Sequence, residues 1–337
     1  MSRLLLLRIQ PDESLRSFVE RNLFIQRHTR STEIFGAPEF RYRRWRSRQV
    51  ISIANFLGWD GCYGFNKLLH FHTDYSVHGV LRNKDNASYS ANQFEIGSYC
   101  FDDFSRTRSY CPTCAKEDQF KRGFSYWRRN HPLVDVCAKH NVKLLSNCQF
   151  CEKSFSACGH SLDVIWGGCA GRSLGDAEPT ANKAPEALHV AQFFESVNAL
   201  PHHLSAETAF HALNDKLTEL VEGDNVEVMS KKRRATLRLH RDDLREPYAF
   251  RYLVNRYRVH DLLYFIASVF ENFESFLADY FRRDLNPPPI DSYWSSHHMD
   301  GYLPEGHQRV SGTSACDDLH EEMRDLLDRL GRLNPFG

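Results

Sequence analysis

Two short pieces of sequence, Cys111-Pro112-Thr113-Cys114 and Cys137-Ala138-Lys139-His140, decide what kind of fold this chain can adopt. In each piece two metal-binding side chains are separated by two residues, the spacing at which a tight turn directs both toward one tetrahedral Zn2+. Seven of the ten cysteines lie between residues 111 and 169. In a chain without a recognisable secretory signal, such pairs indicate metal rather than disulfides. We therefore expect one structural zinc site at Cys111, Cys114, Cys137 and His140.

A second zinc site is expected just downstream, with its fourth ligand open between two residues. Cys148-Gln149-Phe150-Cys151 repeats the pair spacing, and Cys169 lies in the glycine-rich turn Gly167-Gly168-Cys169-Ala170-Gly171. The remaining ligand is either Cys158 or His160, and we favour Cys158. The predicted second site is therefore held by Cys148, Cys151, Cys158 and Cys169.

The ligand count argues against an enzyme. Each predicted site has four protein ligands, whereas a catalytic zinc keeps one position open for water. Glu117 and Asp118, which follow the first cysteine pair, are interpreted as a solvated turn rather than as a catalytic base. The sequence also has no nucleotide-binding loop, nucleophile elbow or metalloprotease helix motif. We predict no catalytic residues, and we interpret the zinc ions as structural.

Length and charge exclude further classes of protein. A chain of 337 residues is too long for one small core. Lys and Arg together number 43, as do Asp and Glu, so the whole chain has no electrostatic attraction to nucleic acid. No apolar run reaches membrane-spanning length, and the run Leu4 to Leu7 is too short for a signal peptide. We expect a cytoplasmic protein without a membrane contact.

Most of the sequence outside the cysteine-rich centre has helical periodicity. A helix capped by Ser47 ends at Gly58, and a turn with Gly61 and Gly64 leads into another helix, which is the outline of a helix-turn-helix. Gly175 to Pro185 has the composition of a linker. We predict a mainly α fold with small zinc-ribbon elements. Its predicted parts are an N-terminal helical domain with the helix-turn-helix (residues 1–100), a tandem zinc-binding region (101–175) and a C-terminal helical domain (176–337).

One segment is strongly basic, although the chain as a whole has no net charge. Arg41-Tyr42-Arg43-Arg44-Trp45-Arg46-Ser47-Arg48 interleaves cations with aromatic rings, a composition typical of surfaces that contact phosphates and stack on bases. A solvated basic loop or a contact with an acidic protein has the same composition. Contact with DNA, with RNA or with protein therefore stays open. The candidate contact residues are Arg41, Arg43, Arg44, Trp45, Arg46 and Arg48.

The order of these parts resembles the TniQ/TnsD family of transposon target-selection proteins. The resemblance covers about residues 10 to 175. It rests on Pro-x-Glu-Ser-Leu-x-Ser (Pro11 to Ser17), Cys-Pro-x-Cys-x-x-x-Asp (Cys111 to Asp118), Cys-x-x-His-x-x-x-Leu-Leu (Cys137 to Leu145) and the Cys148 pair. The second zinc motif departs from the closing cysteine pair usual in the family, because only Cys169 stands in that place.

The resemblance implies a bacterial, non-catalytic adaptor. Short members are similar to the TniQ of CRISPR-associated (type I-F Cascade) transposons, which forms a head-to-tail homodimer on the guide-RNA complex Cascade. On this interpretation the chain serves RNA-guided DNA integration by bridging Cascade to a TnsC-like AAA+ transposition regulator and the transposase. Its aromatic-rich C-terminal half would then supply the dimer contact. The alternative is a TnsD-like, sequence-specific DNA-binding selector of the target site, whose family members have a longer C-terminal part.

Overall fold

The computed structural model describes residues 7–26, 45–59, 61–81, 100–101, 107–131, 133–156, 160, 165, 167–200, 203–222, 237–238, 241–242 and 259–284. The chain divides into two compact units. Unit 1 contains Met1–Val77 and Ser88–His202, and unit 2 contains His78–Ala87 and His203–Gly337. The three-part division expected from the sequence stays a prediction. Within the described ranges, no helix combines the length and apolar character needed to cross a membrane.

The fold is mainly helical, which confirms the predicted class. The helices are α1 (Leu15–Gln26), α2 (Ser47–Phe56), α3 (Gly61–His72), α4 (Tyr75–His78), α5 (Pro112–Arg122), α6 (Pro185–Ala199), α7 (Ala206–Glu222), α8 (Val259–Val269) and α9 (Phe273–Asp284). A 3-10 helix spans Leu174–Asp176. Two short strands, β1 (Trp45–Arg46) and β2 (Cys100–Phe101), pair antiparallel with Trp45 opposite Phe101.

Helices α1, α2 and α3 share one apolar core in unit 1. Leu15, Phe18 and Val19 of α1 recur at helical spacing and are fully buried. They belong to one cluster with residues of the next two helices, among them Val50, Ile53, Ala54, Phe65, Leu68 and Leu69. The amphipathic pattern of each helix therefore faces a common interior.

The turn between α2 and α3 is a Schellman motif. The N–H of Trp59 donates to the carbonyl of Ala54 at 2.9 Å, and the N–H of Gly58 donates to the carbonyl of Asn55 at 3.0 Å. Gly58 has φ +72°, a conformation that glycine adopts without steric cost. Helix α3 passes so close to this turn that a Cβ at Gly64 would lie 2.1 Å from the Trp59 carbonyl oxygen. The predicted helix-turn-helix outline is therefore present.

A buried ion pair joins the start of α1 to its middle. Nε and Nη2 of Arg21 donate to the Glu13 carboxylate at 2.6 and 2.7 Å, and both side chains are almost completely buried. The hydroxyl of Ser17 donates to the same carboxylate at 2.9 Å. Nδ1 of His72, at the end of α3, donates to the Glu13 carbonyl at 2.7 Å. Buried charges are tolerated only when they are paired and hydrogen-bonded, and here Arg21 and Ser17 satisfy the Glu13 carboxylate while His72 connects α3 to the same residue.

The segment around Trp127 connects these helices to the cysteine-rich region. The carbonyl of Trp127 accepts a hydrogen bond from the N–H of Ser14 at 2.9 Å. Its own N–H donates to the Ser17 hydroxyl at 3.1 Å. Glu13 and Arg128 form an antiparallel bridge alongside. The backbone after α5 therefore pairs with the chain that starts α1.

Arg129 extends the same connection to the end of α3. Its backbone N–H donates to the carbonyl of Asp12 at 3.1 Å. Its guanidinium donates to the carbonyls of His70 at 2.7 Å and Thr73 at 3.3 Å. These carbonyls lie at the C-terminal end of α3, where a cation is favoured by the helix dipole. The N-terminal helices and the cysteine-rich region thus belong to one hydrogen-bonded structure within unit 1.

The stretch interpreted as a linker, Gly175 to Pro185, is an ordered part of unit 1. Val142 pairs with Ala181, and the N–H of Lys143 donates to the carbonyl of Thr180 at 2.8 Å. A hydrogen bond of 2.9 Å also joins the side-chain amides of Asn182 and Asn141. The stretch therefore pairs with the chain that follows His140.

Unit 2 contains an aromatic core. Phe276 of α9 lies with its ring centroid 5.4 Å from Phe270, 5.9 Å from Phe273 and 6.1 Å from Tyr280. The hydroxyl of Tyr280 accepts a hydrogen bond from the N–H of Ser205 at 2.7 Å, just before α7. These aromatic residues of the C-terminal half are core residues. A dimer contact elsewhere in that half stays a prediction.

Candidate metal centre

The first group of metal-binding side chains, Cys111, Cys114, Cys137 and His140, is termed cluster 1. Cys111 is the N-cap of α5, and its Sγ accepts a hydrogen bond from the N–H of Cys114 at 3.4 Å. Pro112 occupies the first helical position, where its missing N–H costs nothing. The helix start therefore holds both thiols of the first pair on one side of the chain.

The second pair of cluster 1 lies in a tight turn. The N–H of Asn141 donates to the carbonyl of Cys137 at 2.9 Å, and the N–H of Cys137 donates to the carbonyl of Val142 at 2.8 Å. Asn141 has φ +51°, in the left-handed region that asparagine tolerates better than most residues. This closed turn brings the thiol of Cys137 and the imidazole of His140 to the α5 cysteines.

The four donor atoms of cluster 1 have the spacing of a tetrahedral site. The Sγ atoms of Cys114 and Cys137 lie 3.8 Å apart. Nδ1 of His140 lies 3.5, 3.3 and 3.6 Å from the Sγ atoms of Cys111, Cys114 and Cys137. Zinc bonds of about 2.3 Å to sulfur and 2.0 Å to nitrogen place tetrahedral ligands about 3.8 Å (S to S) and 3.6 Å (S to N) apart. The four residues therefore fit zinc.

The pKa values of the cluster 1 thiols depend on the hydrogen bonds among them. Hydrogen bonds from Cys111 and Cys114 lower the pKa of Cys137 strongly. Hydrogen bonds to Cys111 and Cys137 raise the pKa of Cys114. One thiolate solvated by neighbouring thiols is an arrangement that a cation completes, because the metal-bound form of each cysteine is the thiolate. Metal binding must therefore release protons and weaken at low pH.

Glu117 and Asp118 lie in α5, so their interpretation as a solvated turn is wrong. Glu117 Oε1 lies 3.0 Å from Nε2 of His140, and Oε2 accepts from Nζ of Lys139 at 2.5 Å. The hydrogen bond from Lys139, followed by that from His140, lowers the pKa of Glu117 to about 2. Asp118 is buried and pairs with Arg122 and Arg128. The sequence signal that was missed is the three-residue spacing from Cys111 to Cys114 to Glu117 on one helical face.

The second group, Cys148, Cys151, His160 and Cys169, is termed cluster 2. Its donor atoms lie within 4.8 Å of one another, as do those of cluster 1. The turn repeats that of cluster 1, since the N–H of Glu152 donates to the carbonyl of Cys148 at 2.9 Å. The N–H of Cys148 in turn donates to the carbonyl of Lys153 at 2.9 Å. Here Glu152, with φ +61°, occupies the left-handed position.

Cluster 2 has a less regular donor set than cluster 1. The Sγ atoms of Cys148 and Cys169 lie 3.7 Å apart, as two thiolates on one zinc would. Nε2 of His160 lies 2.9 Å from Sγ of Cys151, which is closer than ligands of one ion. His160 is thus the residue that the structure brings to this cluster. Cys158 lies outside the described residues, and the preference for it as the fourth ligand stays a prediction.

The thiols of cluster 2 differ in exposure and acidity. Cys151 is exposed, and a hydrogen bond from the backbone of Lys153 is the main cause that lowers its pKa to about 7. Burial raises the pKa of Cys169 to about 11. Cluster 2 therefore presents one accessible, easily ionised sulfur to solvent.

One aromatic core lies against both clusters. The rings of Tyr110, Trp127 and Phe155 meet at centroid distances of 5.7, 5.3 and 5.1 Å. Cys148 and Cys169 of cluster 2 belong to the same apolar core, together with Ala115, which follows Cys114 in α5. The side chain of Trp127 is buried in this core, so the ring packs beside the cysteines of cluster 2.

Comparison with known proteins gives one family. Residues 4–144 match the family model described as TniQ. This match supports the resemblance to the TniQ family. The matched region contains all of cluster 1 and the helix-turn-helix, and it ends before Cys148, the first residue of cluster 2. No curated protein matches the chain.

The basic segment lies within the TniQ match. Arg41, Arg43 and Arg44 fall outside the described residues. The backbone of Trp45 and Arg46 forms β1, and the backbone of Arg48 lies in the first turn of α2. The predicted contact of this segment with nucleic acid or protein stays a prediction.

Proposed function

We propose that this protein is a non-catalytic adaptor in transposition target selection. The observation that carries the proposal is that the TniQ match over residues 4–144 contains a complete Cys3His cluster with the spacing of a zinc site. All four donors of cluster 1 are protein side chains, which suits a structural metal better than a catalytic one. The protein is accordingly proposed to act by binding partners and not by turnover.

Both clusters are proposed to hold structural Zn2+. In cluster 1 the ligands are Cys111, Cys114, Cys137 and His140, and in cluster 2 they include Cys148, Cys151 and Cys169 with His160 or Cys158. When bound, each ion cross-links segments that are distant in sequence. Cluster 1 joins the start of α5 to the turn after Val136, and this turn pairs with residues 180–182. The ions would thereby stabilise a surface for partners.

The finer assignment is a short TniQ of a type I-F CRISPR-associated transposon. Such a protein would act in the bacterial cytoplasm, as a homodimer that bridges Cascade to a TnsC-like AAA+ regulator and the transposase. Equal numbers of acidic and basic residues support an adaptor that binds proteins, because a protein that binds DNA alone depends on phosphate contacts from excess Lys and Arg. The aromatic-rich C-terminal half is proposed to provide the dimer contact.

Co-purification tests the adaptor role. The tagged full-length chain is expressed with the neighbouring CRISPR genes, with and without guide RNA, and the purified protein, RNA and zinc are quantified. We expect two copies per Cascade complex and about two zinc ions per chain, with Cascade lost when guide RNA is omitted. Purification free of Cascade in the presence of guide RNA would contradict the proposal.

A TnsD-like DNA selector is the second candidate, and the observed helix-turn-helix favours it. Helix α3 follows α2 after a Schellman turn, as the second helix of a DNA-binding hairpin does. Specific binding of one duplex by the full-length chain, with affinity that falls steeply as salt rises, would support this candidate. Binding that does not discriminate between duplex sequences would exclude it.

A further inference from the structure

We propose that Glu117 is a positioning residue for the metal of cluster 1. It holds the His140 ring in the tautomer and orientation that direct Nδ1 toward the three thiols. This inference rests on the metal assignment of the proposed function and is independent of the adaptor role.

The hydrogen bond between the two side chains fixes the tautomer. Glu117 Oε1 lies 3.0 Å from Nε2 of His140. A carboxylate only accepts hydrogen bonds, so Nε2 carries the ring proton and Nδ1 keeps its lone pair. That same Nδ1 is the atom that lies 3.3 to 3.6 Å from the three Sγ atoms. Nδ1 is therefore the ring atom that would bind the metal.

Helix α5 makes this support rigid. Cys111 is the N-cap of α5, and Cys114 and Glu117 follow at three-residue spacing, so that each is a neighbour of the one before it on the helix surface. One element thus carries two ligands and the group that orients a third. A change in the Glu117 rotamer would break two hydrogen bonds at once, because its other oxygen accepts from Lys139 at 2.5 Å.

The charges around Glu117 offset the cost of placing a carboxylate beside thiolates. Three ionised cysteines and Glu117 would together exceed the charge of a divalent cation. Nζ of Lys139 contacts the carboxylate directly, and Nζ of Lys121 lies 3.9 Å away. These two ammonium groups place positive charge beside the carboxylate and offset part of that excess negative charge.

The test measures metal loss from the two clusters separately, because cysteine labelling is assigned to individual peptides. Zinc-loaded full-length protein is titrated with a chelator and treated with a thiol-alkylating reagent, and cysteine labelling is read by peptide mass spectrometry. The variants are Glu117→Ala, which removes the acceptor, and Glu117→Gln, which keeps a neutral acceptor. The matched control is Glu152→Gln, which neutralises an exposed glutamate next to Cys151 of cluster 2.

We expect Glu117→Ala to lower the chelator concentration that exposes Cys111, Cys114 and Cys137 by about tenfold, in line with other groups that orient metal-binding histidines. The chelator concentration that exposes these cysteines in Glu117→Gln should lie between the values for Glu117→Ala and the wild type. Labelling of Cys148, Cys151 and Cys169 should not change, and Glu152→Gln should leave cluster 1 at the wild-type midpoint.

The outcomes distinguish failure of this inference from failure of the metal assignment. An unchanged cluster 1 midpoint in Glu117→Ala, or an equal shift of both clusters, would overturn the positioning role. Complete labelling of wild-type cluster 1 without chelator would overturn the metal assignment itself, and the positioning role with it.

Discussion

Clusters 1 and 2 are formed by the same backbone turn in different surroundings. In both, the first cysteine of the turn, Cys137 or Cys148, donates its N–H to a carbonyl five residues ahead. In cluster 1 the partner pair lies on a helix, and Glu117 hydrogen-bonds the histidine ligand. In cluster 2 the partner cysteine, Cys169, lies in a glycine-rich turn, and Cys151 is exposed.

The difference teaches that ligand spacing determines the turn, whereas the neighbouring elements determine how firmly the donors are held. A ligand on a capped helix loses little conformational freedom when it binds metal. A ligand at an exposed turn must be ordered by the metal itself. We therefore expect cluster 1 to retain its metal more strongly than cluster 2.

Removal of one ligand from each cluster should give the largest contrast. Cys137→Ser should abolish folding of unit 1, because a structural zinc contributes about 10–16 kcal/mol to folding in small zinc domains. Cys151→Ser removes an exposed ligand and should leave a soluble protein with one zinc. Soluble yield and zinc content per chain measure both effects. Cys316→Ser is the control, and equal zinc content in all three variants would contradict the ligand assignment.

A core substitution should affect both clusters together. Trp127→Ala removes the largest ring of the shared aromatic core and should destabilise unit 1 by about 3–5 kcal/mol. Urea unfolding measures the loss, and the chelator midpoints of both clusters should decrease in parallel. Trp127→Phe keeps an aromatic ring and should lower the free energy of unfolding by less than Trp127→Ala. A shift confined to one cluster would show that the core does not couple them.

Acid should destabilise the helical part of unit 1 independently of the metal ligands. Burial is the main cause that lowers the pKa of His72 to about 4. The hydrogen bond to the Glu13 carbonyl and the charge of Asp12 act against this shift, whereas Arg129 and Lys67 act in the same direction as burial. The unfolded state therefore binds a proton between pH 6.5 and 4 that the folded state does not bind. Stability is complete above pH 6.5 and falls as the pH drops, by about 3 kcal/mol near pH 4.

His72→Asn separates this effect from the loss of metal. Asparagine retains a donor for the Glu13 carbonyl but does not titrate. Wild type and variant have the same zinc ligands, so the difference between their stability profiles from pH 7 to 4.5 reports His72 alone. Identical slopes for the two proteins would show that the imidazole does not control this acid response.

The smallest effect is expected from substitutions at the positive-φ position of the two turns, which is Asn141 in cluster 1 and Glu152 in cluster 2. Glu152→Asn should stabilise the protein by about 0.5–1 kcal/mol, because asparagine tolerates positive φ better than glutamate. Asn141→Glu should destabilise it by at least as much, since it also removes the side-chain bond to Asn182. Thermal unfolding of the two zinc-loaded variants measures both changes. Shifts of the same sign would show that the turns are not equivalent.

Local spacing predicted the helical class and both turns, whereas contacts between distant residues could not be predicted. The cysteine pairs and Gly58 act within a few residues, so their patterns are visible in the sequence. The Glu13 and Arg21 pair depends on burial that only the packed core creates. The choice between His160 and Cys158 as the fourth ligand of cluster 2 could not be made from the sequence for a similar reason, because their distances from Cys169 depend on how the intervening chain folds.

The linker interpretation of Gly175 to Pro185 shows the same limit. Its Gly, Pro and polar residues are typical of a linker, but residues 180–182 pair with the turn of cluster 1. Composition reports local flexibility and does not register a partner strand elsewhere in the chain.

The hydrogen bond between Trp127 and Ser17 spans 110 residues of sequence, which imposes an order on folding during synthesis. At about 5–20 residues per second, the ribosome takes roughly 6–20 s to produce Trp127 after Ser17 has emerged. Throughout that interval α1 is present without the segment that covers Ser17. Because Trp127 follows Cys111 and Cys114 in the chain, the segment that covers Ser17 becomes available only after the first cysteine pair of cluster 1 has been made, and ten residues before Cys137.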